Sequence, residues 1–289
     1  MRIVESDQQI TVYDLSSFDL EKTIECGQCF RWKKLGNKHY LLIAHNQLVE
    51  LLQSEECFVL KHSSLNQFNQ IWRNYFDLDR DYALINHTLE KDEKFIEIIN
   101  YSKGIRLLKQ DPFEILISFI LSSNRSIPII QCNIEALCEQ YGHKIGEFME
   151  QTYFAFPDLA SLNNLSPSDL RACKVGYRDA YIQSAIQFID RYPQILSDIE
   201  RMTYEQAYST LQKIKGVGPK VAHCVLLFGY HKMESFPVDV WIERGMKHLY
   251  PQLKTIQEIQ DFARENFGHH SGIVQQYLFY YAINHKIGK

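Results

Sequence analysis

The hydrophobic pattern changes period once along the chain. In the first third apolar and polar positions form short runs. These are Gln9-Ile-Thr-Val-Tyr13, Phe30 to Leu35 before a Gly36-Asn37 turn, Tyr40 to Ala44 before a turn at His45-Asn-Gln47, Leu48 to Leu52, and Cys57 to Lys61. Short strands at this spacing, punctuated by Gly and Asn, predict an antiparallel meander. From about Ser64 the period becomes helical. Leu65, Phe68, Ile71, Trp72 and Phe76 share one helix face, and from Phe95 onward nearly every segment repeats at about 3.6 residues. No low-complexity linker and no repeat intervenes. The pattern predicts an α+β protein, with an antiparallel sheet unit over residues 1–105 and a mostly helical body over residues 106–289 sharing an interface.

Composition narrows the classes. The chain has 289 residues, 45% hydrophobic and 23% charged, which excludes a disordered or collagen-like polymer and allows a substantial core. No apolar run approaches the ~20 residues that span a bilayer, and Met1 to Ile10 lacks the basic-then-apolar pattern of an export signal. Net charge is −4, which argues against coating nucleic acid by charge alone. Residues 1–105 hold 12 basic and 16 acidic side chains, and residues 106–289 hold 19 of each. DNA, if bound, must be gripped by a local patch and by backbone amides. Seven cysteines without an export signal imply a reduced intracellular setting. Cys26-Gly-Gln-Cys29 has redox spacing, but Cys29 leads straight into a predicted strand, which argues against a thioredoxin-type site. No second pair exists to complete a metal site.

The chemistry concentrates in Leu211-Gln-Lys-Ile-Lys-Gly-Val-Gly-Pro-Lys-Val-Ala-His-Cys-Val225. A helix ending near Ile214 meets a Gly216-Val217-Gly218 hairpin, and Pro219 opens the next helix at its first position, where a missing N–H is harmless. Exposed hairpin amides and the positive helix end can form an anion site of the kind that holds a DNA phosphate without reading sequence, although a Gly-x-Gly hairpin taken alone is more often a plain αα-turn. Lys220 stands in the first turn beside it, where the helix dipole and the apolar neighbours Val221 and Ala222 favour a neutral amine. Two roles stay open for Lys220: a phosphate-binding cation, or the nucleophile of a Schiff base. Nineteen residues on, Asp239 in Phe236-Pro-Val-Asp-Val-Trp241 can cap the helix that follows. It can also face the anion site and stabilise a cationic sugar; the two roles are compatible.

Helix, Gly-Val-Gly hairpin, lysine, then Pro-Val-Asp resembles the helix-hairpin-helix/Gly-Pro-Asp superfamily of DNA glycosylases. Further segments are similar to the 8-oxoguanine DNA glycosylases: Leu20-x6-Gly27-Gln28-x-Phe30-Arg31-Trp32, Gly104-Ile-Arg106 through Gln110-Asp-Pro-Phe-Glu114, Ser118-Phe-Ile-x-Ser-Ser-Asn124, Gly176-Tyr-Arg178 and Gln275-x2-Leu278-Phe279. They run in the family's order over nearly the whole chain. The resemblance implies that Lys220 is the nucleophile and Asp239 the essential carboxylate. It places the carbonyl of Gly27 on the N7 hydrogen that distinguishes 8-oxoguanine from guanine. Phe279 and Cys224 would sandwich the extruded base and Gln275 would face its Watson–Crick edge. Cys224 follows Lys220 by four residues, hence on one helix face. Asn124, Tyr177 and Arg178 would fill the hole in the duplex, wedge the stack and contact the estranged cytosine. A cation on the backbone carbonyls of Gln212, Ile214 and Val217 is also implied.

The sequence departs from the family pattern twice. Ile129 stands where better-known members carry a cytosine-reading arginine, and Trp241 where they carry a phosphate-contacting histidine. No cysteine follows Cys224, so the iron–sulfur cluster of related subfamilies is not expected. The expected function is a bifunctional glycosylase and abasic-site lyase acting as a monomer on duplex DNA containing 8-oxoguanine, with no redox cofactor and no membrane. Its compartment would be the cytoplasm or nucleoid of a bacterium, or a eukaryotic nucleus. The rivals are a monofunctional alkylated-base glycosylase, against which Lys220 argues, and a non-catalytic helix-hairpin-helix protein, against which Lys220 and Asp239 together argue.

Overall fold

The computed structural model of the chain describes residues 1–287. Six antiparallel strands form the amino-terminal sheet: β1 (Arg2–Ser6), β2 (Gln9–Tyr13), β3 (Trp32–Gly36), β4 (His39–Ala44), β5 (Gln47–Gln53) and β6 (Cys57–Lys61). Their order is β1-β2-β6-β5-β4-β3. The meander therefore holds from β3 to β6, while β2 closes onto β6 at the far side. The pairs Ile10↔Leu60, Val12↔Phe58, Leu51↔Leu60 and Leu42↔Val49 put apolar side chains of neighbouring strands on one face. β1 was not predicted. It is a short edge strand with mostly exposed residues, so neither face imposes an apolar alternation.

The helix face expected over Leu65 to Phe76 is broken into Leu65–Gln67 and Arg73–Tyr75 around a π-helical turn, Phe68–Trp72. The wider turn brings Phe68, Trp72, Tyr75 and Phe76 all into the core beneath the sheet. Leu65 alone of the expected set is exposed.

The rest is helical, with one exception. Lys144–Phe148 (β7) and Gln151–Phe154 (β8) form a two-stranded hairpin. Its turn residues Met149 and Glu150 adopt φ of 49° and 63°, a geometry usually marked by Asn or Gly, so the sequence carries no turn signal there. The hairpin packs Tyr153 onto Leu41 and Ile43 of the sheet's outer face.

A strap, residues 104–110, stitches sheet to body. The Arg106 guanidinium, fully buried, donates to the carbonyls of Asp77 (2.6 Å) and Ser16 (2.8 Å) and lies over the Tyr82 ring. Gln28 uses both ends of its amide: Nε2 donates to the carbonyls of Thr23 and Arg106, and Oε1 accepts from Leu108 N at 2.9 Å. Gln110 returns a bond to the Gln28 carbonyl at 2.8 Å. These bonds fix the loop that carries Gly27. The cysteines flanking it are buried thiols rather than a redox pair. Burial pushes Cys26 up to about 12 and Cys29 well above the usual thiol range.

Candidate active site

The hairpin forms where the sequence puts it. Helix Tyr204–Leu211 starts on a Thr203/Gln206 capping box and helix Pro219–Tyr230 starts with Pro219 in its first turn. Gly216 has φ +92°, and a β-carbon there would lie 2.3 Å from the Tyr181 ring, so only glycine fits. Val217 is buried, with its N–H on the Ile214 carbonyl at 3.0 Å. At Gly218 a β-carbon would meet nothing within 4 Å, so the amide end of the helix is open to a ligand.

Helix Pro219–Tyr230 is locked in rotation by His223. Its Nδ1 pairs with the Tyr204 hydroxyl at 2.7 Å and its Nε2 with the Gln260 amide at 2.9 Å. Burial pulls this imidazole down to about 4, so it stays neutral near neutral pH. Lys220 is thereby aimed into a cavity of about 500 Å³. Its lining includes Gly27, Asn124, Cys224, Asp239, Trp241, Gln275 and Phe279.

Each side chain has an anchor. Asp239 caps helix Val240–Leu249, its Oδ1 accepting from Trp241 N (3.0 Å) and Ile242 N (2.9 Å). Burial raises its carboxyl above the usual carboxylate range, while those two amides and the Lys220 charge pull the other way. Cap and site facing therefore coincide. Burial also pushes the Cys224 thiol up to about 11, which keeps it neutral. Gln275 and Phe279 lie one turn apart on helix Ser271–Asn284. Gln275 is buried, and its Oε1 has no hydrogen-bond partner among the described residues. Such an orphan in a cavity invites a ligand donor. Gly27 has φ +80°, and a β-carbon on it would sit 3.1 Å from both Phe279 and Ile127. Sheet unit and helical body thus meet at the pocket.

Three of the expected residues lie at or near the rim of this cavity. Asn124, exposed with φ +54°, lines it from a turn. Tyr177 is 58% exposed on the 3-10 turn Gly176–Arg178 that leads into helix Asp179–Arg191. Arg178 beside it is buried, its guanidinium bonded to the Ser123 and Val175 carbonyls and stacked 4.4 Å from the Tyr177 ring centre. Arg125 joins the two segments, donating to Asn133 Oδ1 at 2.7 Å and to the Lys174 carbonyl at 3.1 Å. Ile129 is exposed. Sequence reasoning gave no role to Arg125, Ser122 or His223. Ser122 and Arg125 lie in or beside the Ser118–Asn124 segment, but nothing in periodicity says which of two adjacent serines turns inward.

A family model for the 8-oxoguanine DNA glycosylase N-terminal domain matches residues 10–116, and one for HhH-GPD superfamily base excision DNA repair proteins matches residues 117–266. The chain belongs to the HhH-GPD superfamily of base excision DNA repair proteins. Within it, the family is that of the 8-oxoguanine DNA glycosylases. The chain is 32% identical to a probable N-glycosylase/DNA lyase of Methanothermobacter thermautotrophicus, covering 93% of this chain and 94% of that one. It is also 32% identical to the N-glycosylase/DNA lyase of Saccharomyces cerevisiae, over 81% of this chain and 69% of the relative. Among solved structures, the 8-oxoguanine glycosylase/lyase of Clostridium acetobutylicum, bound to duplex DNA with cytosine opposite 8-oxoguanine, superposes with a TM-score of 0.96 at 37% identity over 99% of both chains.

Proposed function

We propose that the protein is a bifunctional DNA glycosylase and abasic-site lyase that excises 8-oxoguanine from duplex DNA. The carrying observation is one cavity that holds Lys220, Asp239 and the Gly27 backbone together, in a chain similar along its whole length to an enzyme of that activity. Extruding the nucleotide costs a few kcal/mol of stacking. The open amide end at Gly218 supports phosphate binding, with Trp241 at the cavity edge as a further contact. Phe279 and Cys224 would hold the flipped base, the Gln275 Oε1 would accept from its Watson–Crick edge, and the Gly27 carbonyl would accept its N7 hydrogen. Asn124 and Tyr177 would occupy the vacated duplex, and Arg178 would turn from its carbonyls to the estranged cytosine.

The Lys220 Nζ lone pair then forms a bond to C1′ as the N-glycosidic bond breaks and the purine takes its electron pair. The Asp239 carboxylate stabilises the oxocarbenium-like sugar between. The purine anion takes the proton lost from the nitrogen; the C1′–O4′ bond then breaks as the nitrogen lone pair forms C1′=N⁺, O4′ takes a proton from water, and the protonated Schiff base results. Removal of a C2′ proton expels the 3′ phosphate, and water releases the lysine. The strand is nicked 3′ to the lesion.

Backbone carbonyls of Gln212, Ile214 and Val217 are the proposed seat of a cation. The Ile214 oxygen already accepts the Val217 N–H, and neutral carbonyls without carboxylates fit a weakly held monovalent ion better than a divalent one. Bound there, it would add positive charge beside a phosphate at Gly218. Among the described residues no three His, Cys, Asp or Glu side chains gather as a metal site, and no helix is long and apolar enough to cross a membrane. Repair of genomic DNA places the enzyme inside the cell.

The test is borohydride trapping on an 8-oxoguanine duplex. Wild type should form a covalent adduct and Lys220→Gln none, while still binding the duplex. Equal trapping by both overturns the assignment of Lys220.

A further inference from the structure

The nucleophile is held by a group to which the chemistry so far gives no part. Lys220 Nζ lies 2.9 Å from Ser122 Oγ. Ser122 Oγ in turn donates its own hydrogen to the Phe119 carbonyl at 2.8 Å. With that hydrogen committed, the hydroxyl can only accept from the amine. Ser122 is buried and forms the C-terminal cap of helix Pro112–Leu121, so it has little freedom to turn away. The same helical turn supplies a second contact, since Nζ stands 5.0 Å from the centre of the Phe119 ring. That ring is itself fixed, stacked on Phe228 at 5.4 Å and 14° and packed edge-on to Phe30. The negative end of helix Pro112–Leu121 therefore faces the positive end of helix Pro219–Tyr230, and the amine bridges them.

We infer that Ser122 is the positioning residue of the nucleophile: as a pure acceptor it fixes one N–H of Lys220 so that the remaining nitrogen valence faces the sugar. A lysine's four-carbon stem samples many rotamers, and an amine free to sample them spends little time in attacking geometry. A misplacement of about 1 Å at a reacting atom lowers a rate by ~10². Among the described residues Asp239 makes no hydrogen bond or ion pair to the amine; its Oδ1 takes both amides of its helix cap, and Ser122 alone accepts from Nζ. The inference rests on Lys220 being the nucleophile.

Single-turnover excision and duplex affinity, measured on 8-oxoguanine DNA, test it. Ser122→Ala should bind the duplex as wild type does, yet excise 10- to 100-fold more slowly and trap with borohydride correspondingly slowly. Ser122→Thr, which keeps the acceptor, should recover most of the rate. Ser122→Cys keeps the bulk with a poor acceptor and should stay slow, which decides the matter if the alanine variant is unstable. Excision by Ser122→Ala or Ser122→Cys within twofold of wild type overturns the inference, as does a rate loss matched by an equal loss of affinity. Failure of wild type itself to trap would instead overturn the role of Lys220, so the two outcomes are distinct.

Discussion

The cavity and the segments that flank it are built on opposite terms. In the pocket every proposed group except Gly27 rides on a helix or its cap, and three have a fixed neighbour: Lys220 on Ser122, Asp239 on the amides of Trp241 and Ile242, Phe279 against Gly27. At the face proposed to meet the opposite strand, Asn124 on a turn and Tyr177 on a 3-10 turn are exposed, and Arg178 is folded back onto carbonyls. Rigid elements hold reacting atoms within the tolerance that chemistry demands. Segments that must enter a duplex cannot be held that way beforehand, and their side chains have to exchange protein partners for DNA partners. Substitutions in the pocket should therefore change rates steeply, whereas substitutions in the flanking segments should grade the response to the opposite base.

The largest effect expected is from Lys220→Gln, which should lower single-turnover base release by ~10³ or more while duplex affinity persists. Asp239→Asn comes next, at ~10² in rate. The amide oxygen can still cap the helix, so the melting temperature should hold. The pH dependence sharpens this. Burial raises the folded-state carboxyl above its unfolded value, so its contribution to stability is present below the ordinary carboxylate range and is lost as pH rises through the raised value. At neutral pH the variant should melt no lower than wild type. The acid limb of the wild-type rate profile should lie above the ordinary carboxylate range and vanish in the variant. A large drop in melting temperature with a normal rate would leave Asp239 as a cap alone.

Gly27→Ala should weaken lesion binding by about tenfold, near 1.4 kcal/mol, because φ +80° strains a side chain and the new methyl crowds Phe279 and Ile127. Competition binding against undamaged duplex measures it; unchanged affinity would detach Gly27 from the pocket. The smallest effect is expected at Ile129, in the first turn of helix Ile127–Tyr141. With Ile129 offering no hydrogen bond, 8-oxoguanine removal opposite adenine, guanine or thymine should fall within roughly tenfold of that opposite cytosine. Ile129→Arg should restore part of a preference. Single-turnover rates on the four duplexes decide it, and a thousandfold cytosine preference in wild type would mean that Ile129 has no such influence.

How much could be read beforehand follows the same division. The hairpin was legible because Gly216, Val217 and Pro219 each answer a local backbone or packing demand, although the first helix ends at Leu211 rather than near Ile214. Cys224 came from the resemblance, with helical spacing from Lys220 agreeing independently. The sheet was legible from its alternation, but β1 and the β7–β8 hairpin were not: one buries too little and the other turns on Met149 and Glu150. Gly27, Gln275 and Phe279 came only from the resemblance, since their meeting is a long-range event. The seat of Lys220 on Ser122, 98 positions earlier, is likewise a tertiary contact that no local pattern records. The retracted Arg178 is a property of the folded segments, invisible in the tripeptide that carries it.

The strap of residues 104–110 has a consequence for fidelity. On the proposed reading, the oxygen that distinguishes damaged from normal guanine hangs from the sheet unit, while the amine and carboxylate that cut belong to the helical body. Between them stand the side chains of Gln28, Arg106 and Gln110, the Gln276 amide donating to the Cys26 carbonyl at 2.7 Å, and the packing of Gly27 against Phe279 and Ile127. Recognising one hydrogen needs the Gly27 carbonyl held to a fraction of an ångström; breaking the glycosidic bond does not involve it. Warming or loosening this seam should therefore blur the choice of base before it slows the cut, so that a failing molecule becomes an indiscriminate one before it becomes an idle one.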